Sequence, residues 1–152
     1  MKIEQTIAFL KELFTHQIPF HKLIGMEVRE LSSEMVEIYI EMKPELVGNP
    51  THQILHGGIT SAMLDAAGGL LAMASTVKQL TDSDDYDMLQ KKLQNLATID
   101  IRVDYLRPGR GKWFIVTAEV VRQGNKVAVT RMKMHNDDGQ QIAQGTATYM
   151  VG

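Results

Sequence analysis

The sequence predicts an α+β fold: a curved antiparallel β-sheet wrapped around one long central helix, with an N-terminal helix and a short inserted helix. Three observations predict it. The run from Gly57 to Val77 is small and apolar, with Asp65 as its one charged residue. The chain beyond residue 98 reads almost wholly as strand, and proline stands only at boundaries, at positions 19, 44, 50 and 108. A helix that is apolar on most sides must be buried on most sides, and a sheet curling around it does that. With 152 residues, one domain covering 1–152 is expected, burying roughly 70% of the unfolded surface around a single core.

The elements follow in order. Ile3, Ile7, Leu10 and Phe14 fall on one face of an N-terminal amphipathic helix, and Glu4, Lys11 and Glu12 interrupt it too early for a signal peptide. Strands at residues 26–31 and 34–42 flank Ser32-Ser33. The 57–77 run is long enough to raise the question of a membrane span. Gly57-Gly58, Gly68-Gly69 and the hydroxyls of Thr60, Ser61, Ser75 and Thr76 dilute it, and no basic flank accompanies it. It reads as a buried helix. Residues 83–96 form the inserted helix, capped by Ser83, with Asp84, Asp85 and Asp87 near its positive end and a stripe of Tyr86, Leu89, Leu93 and Leu96. Residues 99–105 alternate strictly, placing Ile99, Ile101, Val103 and Tyr105 on one face. Strands at 114–121, 126–134 and 142–151, separated by turn signals at Gly124-Asn125 and Asn136 to Gly139, make an antiparallel meander.

Composition excludes several classes. Sixteen basic and 18 acidic residues give a net charge of −2, so no broad polyanion-binding surface and no nucleic acid partner is expected. The chain has no cysteine, which removes disulfides and thiolate metal sites and suits a reducing cytoplasm. No His, Asp and Glu set has metal-ligand spacing, no Ser or Cys triad is present, and no cofactor is expected.

Asp65 is the residue that does not belong. An ionised carboxylate in the middle of a buried helix costs several kcal/mol unless something offsets it. His56-Gly57-Gly58 opens the same helix, with the acid nine residues after the histidine. This order of elements and this spacing resemble the hotdog-fold thioesterases of the PaaI type. "VGNP", "ILHGG", "TIDIRVDYLRPGRG", "GNKVAV" and "ATYMVG" are similar to the YigI branch of that family. The resemblance runs from about "IPFHKLIGME" to Gly152. It implies cofactor-independent hydrolysis of acyl-CoA to free CoA and a carboxylic acid, at sites shared by a homodimer, with dimers commonly paired into tetramers.

The residues read consistently with this. Bare N–H groups at a glycine-opened helix start favour negative charge, so Gly57 and Gly58 suit the oxyanion of an attacked thioester. His56 orients that loop, donates a further hydrogen bond to the site, or is a structural helix-entry residue satisfied by backbone. Asp65 is a general base for water, a nucleophile forming an acyl anhydride, or a carboxylate paired with a buried partner. Eight residues at ~1.5 Å rise put it roughly 12 Å along the helix from Gly57, too far to serve one carbonyl carbon. Two antiparallel copies of the helix about a twofold axis would bring Gly57 of one chain to Asp65 of the other.

Thr98 matches the family's supporting hydroxyl and is also an ordinary strand residue. The family often has an asparagine before its HGG, matched by Asn49, seven residues before His56; His52 and Gln53 share that loop. Arg107, Arg110 and Lys112 form a candidate phosphate clamp for CoA, with Gly124, Asn125 and Lys126 as a second cationic turn; solvated turns are the alternative. Ala62, Ala66, Gly69, Met63 and Met73 line an acyl path or are plain core, favouring medium or long chains. A non-catalytic acyl-CoA-binding or regulatory hotdog protein is the competing reading. A hydratase or dehydratase would need a histidine and acid set that the sequence lacks.

Overall fold

The computed structural model describes residues 3–80 and 86–152. The chain begins with α1 (Ile3–Glu12), a π-turn (Leu13–Gln17) and α2 (Pro19–Ile24). Of the expected apolar face, Leu10 and Phe14 are buried and Ile7 partly so, while Ile3 is exposed. Strands β1 (Glu27–Leu31) and β2 (Val36–Glu41) follow, then a 3-10 turn (Pro44–Leu46) and a two-stranded ribbon of β3 (Val47–Asn49) and β4 (Ile54–Leu55). That ribbon is absent from the sequence expectations, being too short to show a period-2 pattern. The central helix α3 spans Gly57–Val77, and α4 spans Tyr86–Asn95. The predicted cap at Ser83 and the acids Asp84 and Asp85 lie outside the described residues. The last four strands are β5 (Ala97–Tyr105), β6 (Trp113–Gln123), β7 (Val127–Asn136) and β8 (Gln141–Met150).

Six strands form one antiparallel sheet in the order β1-β2-β6-β7-β8-β5. The expected meander is β6-β7-β8, and β5 closes the far edge against β8. The sheet curls around α3 as the hotdog arrangement requires. Its inner face is Ile38 and Ile40 on β2, Phe114 and Val116 on β6, Met132 and Met134 on β7, and Ala147 and Tyr149 on β8, all buried with Leu64, Leu70 and Leu71 of α3. Among the described residues α3 is the one helix long and apolar enough to cross a membrane, and 67% of its most apolar window is buried within the molecule.

The helical glycines have a packing reason. A Cβ on Gly68 would run into the Tyr149 hydroxyl and lie 2.6 Å from Thr130 Oγ1, and one on Gly69 would lie 3.1 Å from the Tyr149 ring. Helix and sheet approach that closely because no side chain separates them.

Strand β5 departs from its expected phase. Thr98 pairs with Tyr149 and Asp100 with Thr148, so the register slips at Ile99. This bulge turns Ile99 out, 53% exposed, and puts Thr98 on the inner face with Ile101, Val103 and Tyr105. Strict alternation would have placed Thr98 on the opposite face. As an edge strand, β5 is also less buried than its alternation predicted, with Tyr105 55% exposed.

Candidate active site

The predicted catalytic residues gather at two separate places along α3. At the helix start, the β3-β4 ribbon delivers His56. A Cβ on Gly48 would stand 2.6 Å from His56 Cα, so glycine in "VGNP" is what lets the ribbon close, and the His56 N–H donates to the Leu46 carbonyl at 2.8 Å. His56 is the N-cap, in extended conformation, and its Nδ1 accepts the Gly58 N–H at 2.8 Å. That bond caps the helix through His56 Nδ1 and takes Gly58 out of the pair of expected donors. The Gly57 N–H has no hydrogen-bond partner among the described residues.

Gly57 is held from its other side. The Tyr105 hydroxyl, reaching in from the end of β5, donates to the Gly57 carbonyl at 2.7 Å and also meets Ser61 Oγ. Neither Tyr105 nor Ser61 was singled out from the sequence, where a tyrosine ending an alternating strand looks like ordinary core. A cavity of about 370 Å³ opens here, lined by Gly57, Thr60, Tyr105, Arg107 and their neighbours.

The cationic loop after β5 borders this cavity. Arg107 donates to the Gln141 carbonyl at 2.7 Å and Arg110 to the His52 carbonyl at 3.3 Å. Buried Asn136 pins the loop by donating to the Arg110 carbonyl at 2.8 Å, and the Lys112 N–H donates to Asp137 Oδ1. Both arginines thus bond neutral carbonyls and keep their charge available to an anion. The Gly124-Asn125-Lys126 turn lies at the other end of the 11-residue strand β6, roughly 35 Å away at strand rise. One chain does not bring the two cationic groups to one phosphate. Asn49 spends its Oδ1 on the N–H groups of Thr51 and His52, shaping the loop, and His52 is exposed.

Asp65 lies two turns further along α3 and is half-buried. Thr98 Oγ1 donates to its Oδ1 at 2.8 Å, the contact that the β5 bulge makes possible. Tyr149 donates to the Asp65 main-chain carbonyl at 2.8 Å. Burial first, and then the charge of Asp65, push the Tyr149 phenol far above its ordinary range, so it remains a donor. These groups surround a cavity of about 190 Å³, with Ala66 and Gly69 on its helix side and Phe14, Ile18, His21 and Leu96 closing it. Met63 and Met73, expected along an acyl path, are fully buried core. Asp65 forms no ion pair among the described residues, so the paired-carboxylate alternative has no partner there. No group of His, Asp and Glu suited to a metal occurs among the described residues.

The two cavities share no lining residue. A single chain therefore holds a vacant backbone donor and a half-buried acid on one helix without directing both at one point.

Comparisons with known proteins agree with this architecture. Residues 52–143 match the family model described as the thioesterase superfamily. The medium/long-chain acyl-CoA thioesterase YigI of Escherichia coli K12 is 42% identical over 149 residues, covering 98% of this chain and 96% of its own. Human acyl-coenzyme A thioesterase 13 is 25% identical over 97% and 96%. A crystal structure from Shewanella oneidensis, related to the thioesterase superfamily, superposes with a TM-score of 0.95 at 49% identity, covering 99% of this chain and 97% of that one.

Proposed function

The chain belongs to the thioesterase superfamily, and from that premise we propose that it hydrolyses medium- to long-chain acyl-CoA at sites shared by two subunits. The observation that carries the reading is the division of α3 into two half-sites. A free N–H at Gly57 and a Thr98-held carboxylate at Asp65 are complementary parts of one reaction, eight positions apart on one helix. A second copy paired across the β5 edge, where Ile99 and Tyr105 are exposed, would set the two α3 helices antiparallel and join the half-sites twice. Dimers pairing into tetramers would extend the same symmetry.

The chemistry follows from the two ends. Asp65 takes a proton from water as its oxygen attacks the thioester carbonyl carbon. Charge moves to the carbonyl oxygen, where the Gly57 N–H and the helix dipole hold it, a contribution of roughly 3 to 4 kcal/mol. The C–S bond then breaks, the thiolate leaves with its electron pair, and the proton on Asp65 passes to it. Arg107, Arg110 and Lys112 bind the CoA phosphates, and the turn at Gly124 to Lys126 belongs to a different part of the CoA or to the other subunit's site. The relatedness to a medium/long-chain enzyme and the apolar closure of the Asp65 cavity by Phe14, Ile18 and Leu96 support a long apolar acyl group. The absence of cysteine and the use of CoA esters fit the cytoplasm.

Thiol release from a panel of short, medium, long and aryl acyl-CoA esters tests this. The expected result is the highest kcat/KM for medium and long chains. Tight acyl-CoA binding with no thiol released from any ester would make the protein a binding module instead.

A further inference from the structure

His21 lies on α2, within "IPFHKLIGME" but given no role above, and it lines the Asp65 cavity. Its position has a local cause. In the π-turn the Ile18 N–H goes back to the Leu13 carbonyl at 3.2 Å, and the next N–H, which would serve Phe14, is missing because residue 19 is proline. His21 Nδ1 fills that gap, 2.8 Å from the Phe14 carbonyl. A carbonyl only accepts, so Nδ1 carries the proton, and in the neutral ring Nε2 keeps a lone pair. The residue is 8% exposed and its ring packs on Phe14 and Phe20. Among the described residues Nε2 has no hydrogen-bond partner.

Asp65 presents the matching demand. Thr98 occupies its Oδ1, leaving Oδ2 as an acceptor. Two acceptors around one small cavity cannot bond each other, and a water donating one hydrogen to each satisfies both. We propose that His21 is the second acceptor for the hydrolytic water, fixing its orientation so that Asp65 removes the other proton. This rests on the reading of Asp65 as general base. An oriented water presents its lone pair in one direction, which a carboxylate alone does not enforce.

The surroundings fit an acceptor. From α3 comes the carboxylate of Asp65, from β8 the Tyr149 hydroxyl, which donates to the Asp65 main-chain carbonyl and lies close to its carboxylate, and from β5 the hydroxyl of Thr98. The π-turn's own His16 faces Glu12, at 3.9 Å on the outer surface. Burial holds the His21 pKa below its ordinary 6.5, outweighing the Phe14 carbonyl and the Asp65 charge, which act the other way. At neutral pH the ring is therefore unprotonated. On acidification Nε2 becomes a donor, turns to Asp65 and no longer accepts from water.

The test compares wild type with H21N and H21Q on a medium-chain acyl-CoA, by steady-state thiol release across pH. Asparagine can donate to the Phe14 carbonyl from the place of Nδ1 and has no atom at Nε2, whereas glutamine places an amide oxygen near Nε2. H21N is expected to lose about 10- to 100-fold in kcat with KM within about twofold. Its acid limb should shift to lower pH, and H21Q should recover part of the loss. Wild-type kcat and an unchanged acid limb in H21N would overturn the proposal. So would equal losses in both variants with a matching fall in thermal stability, the signature of packing alone. A wild-type protein that releases no thiol from any acyl-CoA would overturn the hydrolase reading instead.

Discussion

The two ends of the site on α3 are built by opposite means. At Gly57 the group we propose to work is a backbone N–H, and its surroundings leave it vacant: His56 takes the neighbouring Gly58 N–H, and Tyr105, which also meets Ser61, holds the next peptide by the Gly57 carbonyl. At Asp65 the proposed working group is a side chain, and its surroundings engage it: Thr98 holds one oxygen and Tyr149 holds the main chain. The donor end depends on what is missing, the acid end on what is present. Substitutions should therefore damage the first by adding atoms or loosening the peptide, and the second by removing single polar groups.

The largest effect tests whether the ends belong to one site. Asp65→Asn keeps the shape of the side chain and removes its basicity, so kcat should fall by about 10³- to 10⁴-fold with acyl-CoA binding retained. Gly57→Ala should be inactive for the opposite reason, since a methyl there meets the Tyr105 ring at 3.3 Å and crowds the donor. Refolding the two inactive chains together should restore about a quarter of wild-type activity, because half the dimers are mixed and each carries one intact site. Mixtures as inactive as their components would place both groups within one chain's site and break the comparison.

A smaller effect sharpens the donor end. Tyr105→Phe removes the hydroxyl that bonds the Gly57 carbonyl and leaves the ring in place. The Gly57–Gly58 peptide next to the free N–H then loses its side-chain restraint, and kcat should drop about 10-fold, as expected for one hydrogen bond to a reacting geometry. KM for acyl-CoA should hardly move. An equal rise in KM with kcat unchanged would assign Tyr105 to substrate binding.

The same contrast explains what was legible in the sequence. The fold was legible because α3 and the β6-β7-β8 meander follow hydrophobic period, and period is set by burial. The vacant N–H at Gly57 was legible as well, because a helix start leaves its first backbone donors unpaired. Asp65 stood out as a lone charge in an apolar helix. The residues around it did not. Thr98 reaches Asp65 only because of the bulge at Ile99, a one-residue slip with no compositional mark in "TIDIRVDY". Tyr149 and Tyr105 look like core until their hydroxyl partners, 84 and 48 residues away in the chain, are known. His21 joins the cavity through a carbonyl orphaned by Pro19. Side-chain networks assembled from distant elements leave no local signature, whereas backbone devices do.

The smallest expected effect separates the ends by stability rather than turnover. In the folded protein burial lowers the His21 pKa below 6.5, so the folded state binds that proton less readily than the unfolded chain does. Stability from this residue is then complete above pH 6.5 and declines as pH falls from there toward the lower folded value, because the unfolded state takes up the proton first. The urea midpoint of the wild type should accordingly decrease between pH 7.5 and 5.5. His21→Asn carries no titrating group, so its midpoint should fall less over the same interval even if it is lower throughout. The difference in slope isolates His21 from the other histidines, which both proteins share. Parallel slopes would mean that His21 titrates alike in the folded and unfolded chains, and the acid end would then lack the desolvated acceptor that distinguishes it from the donor end.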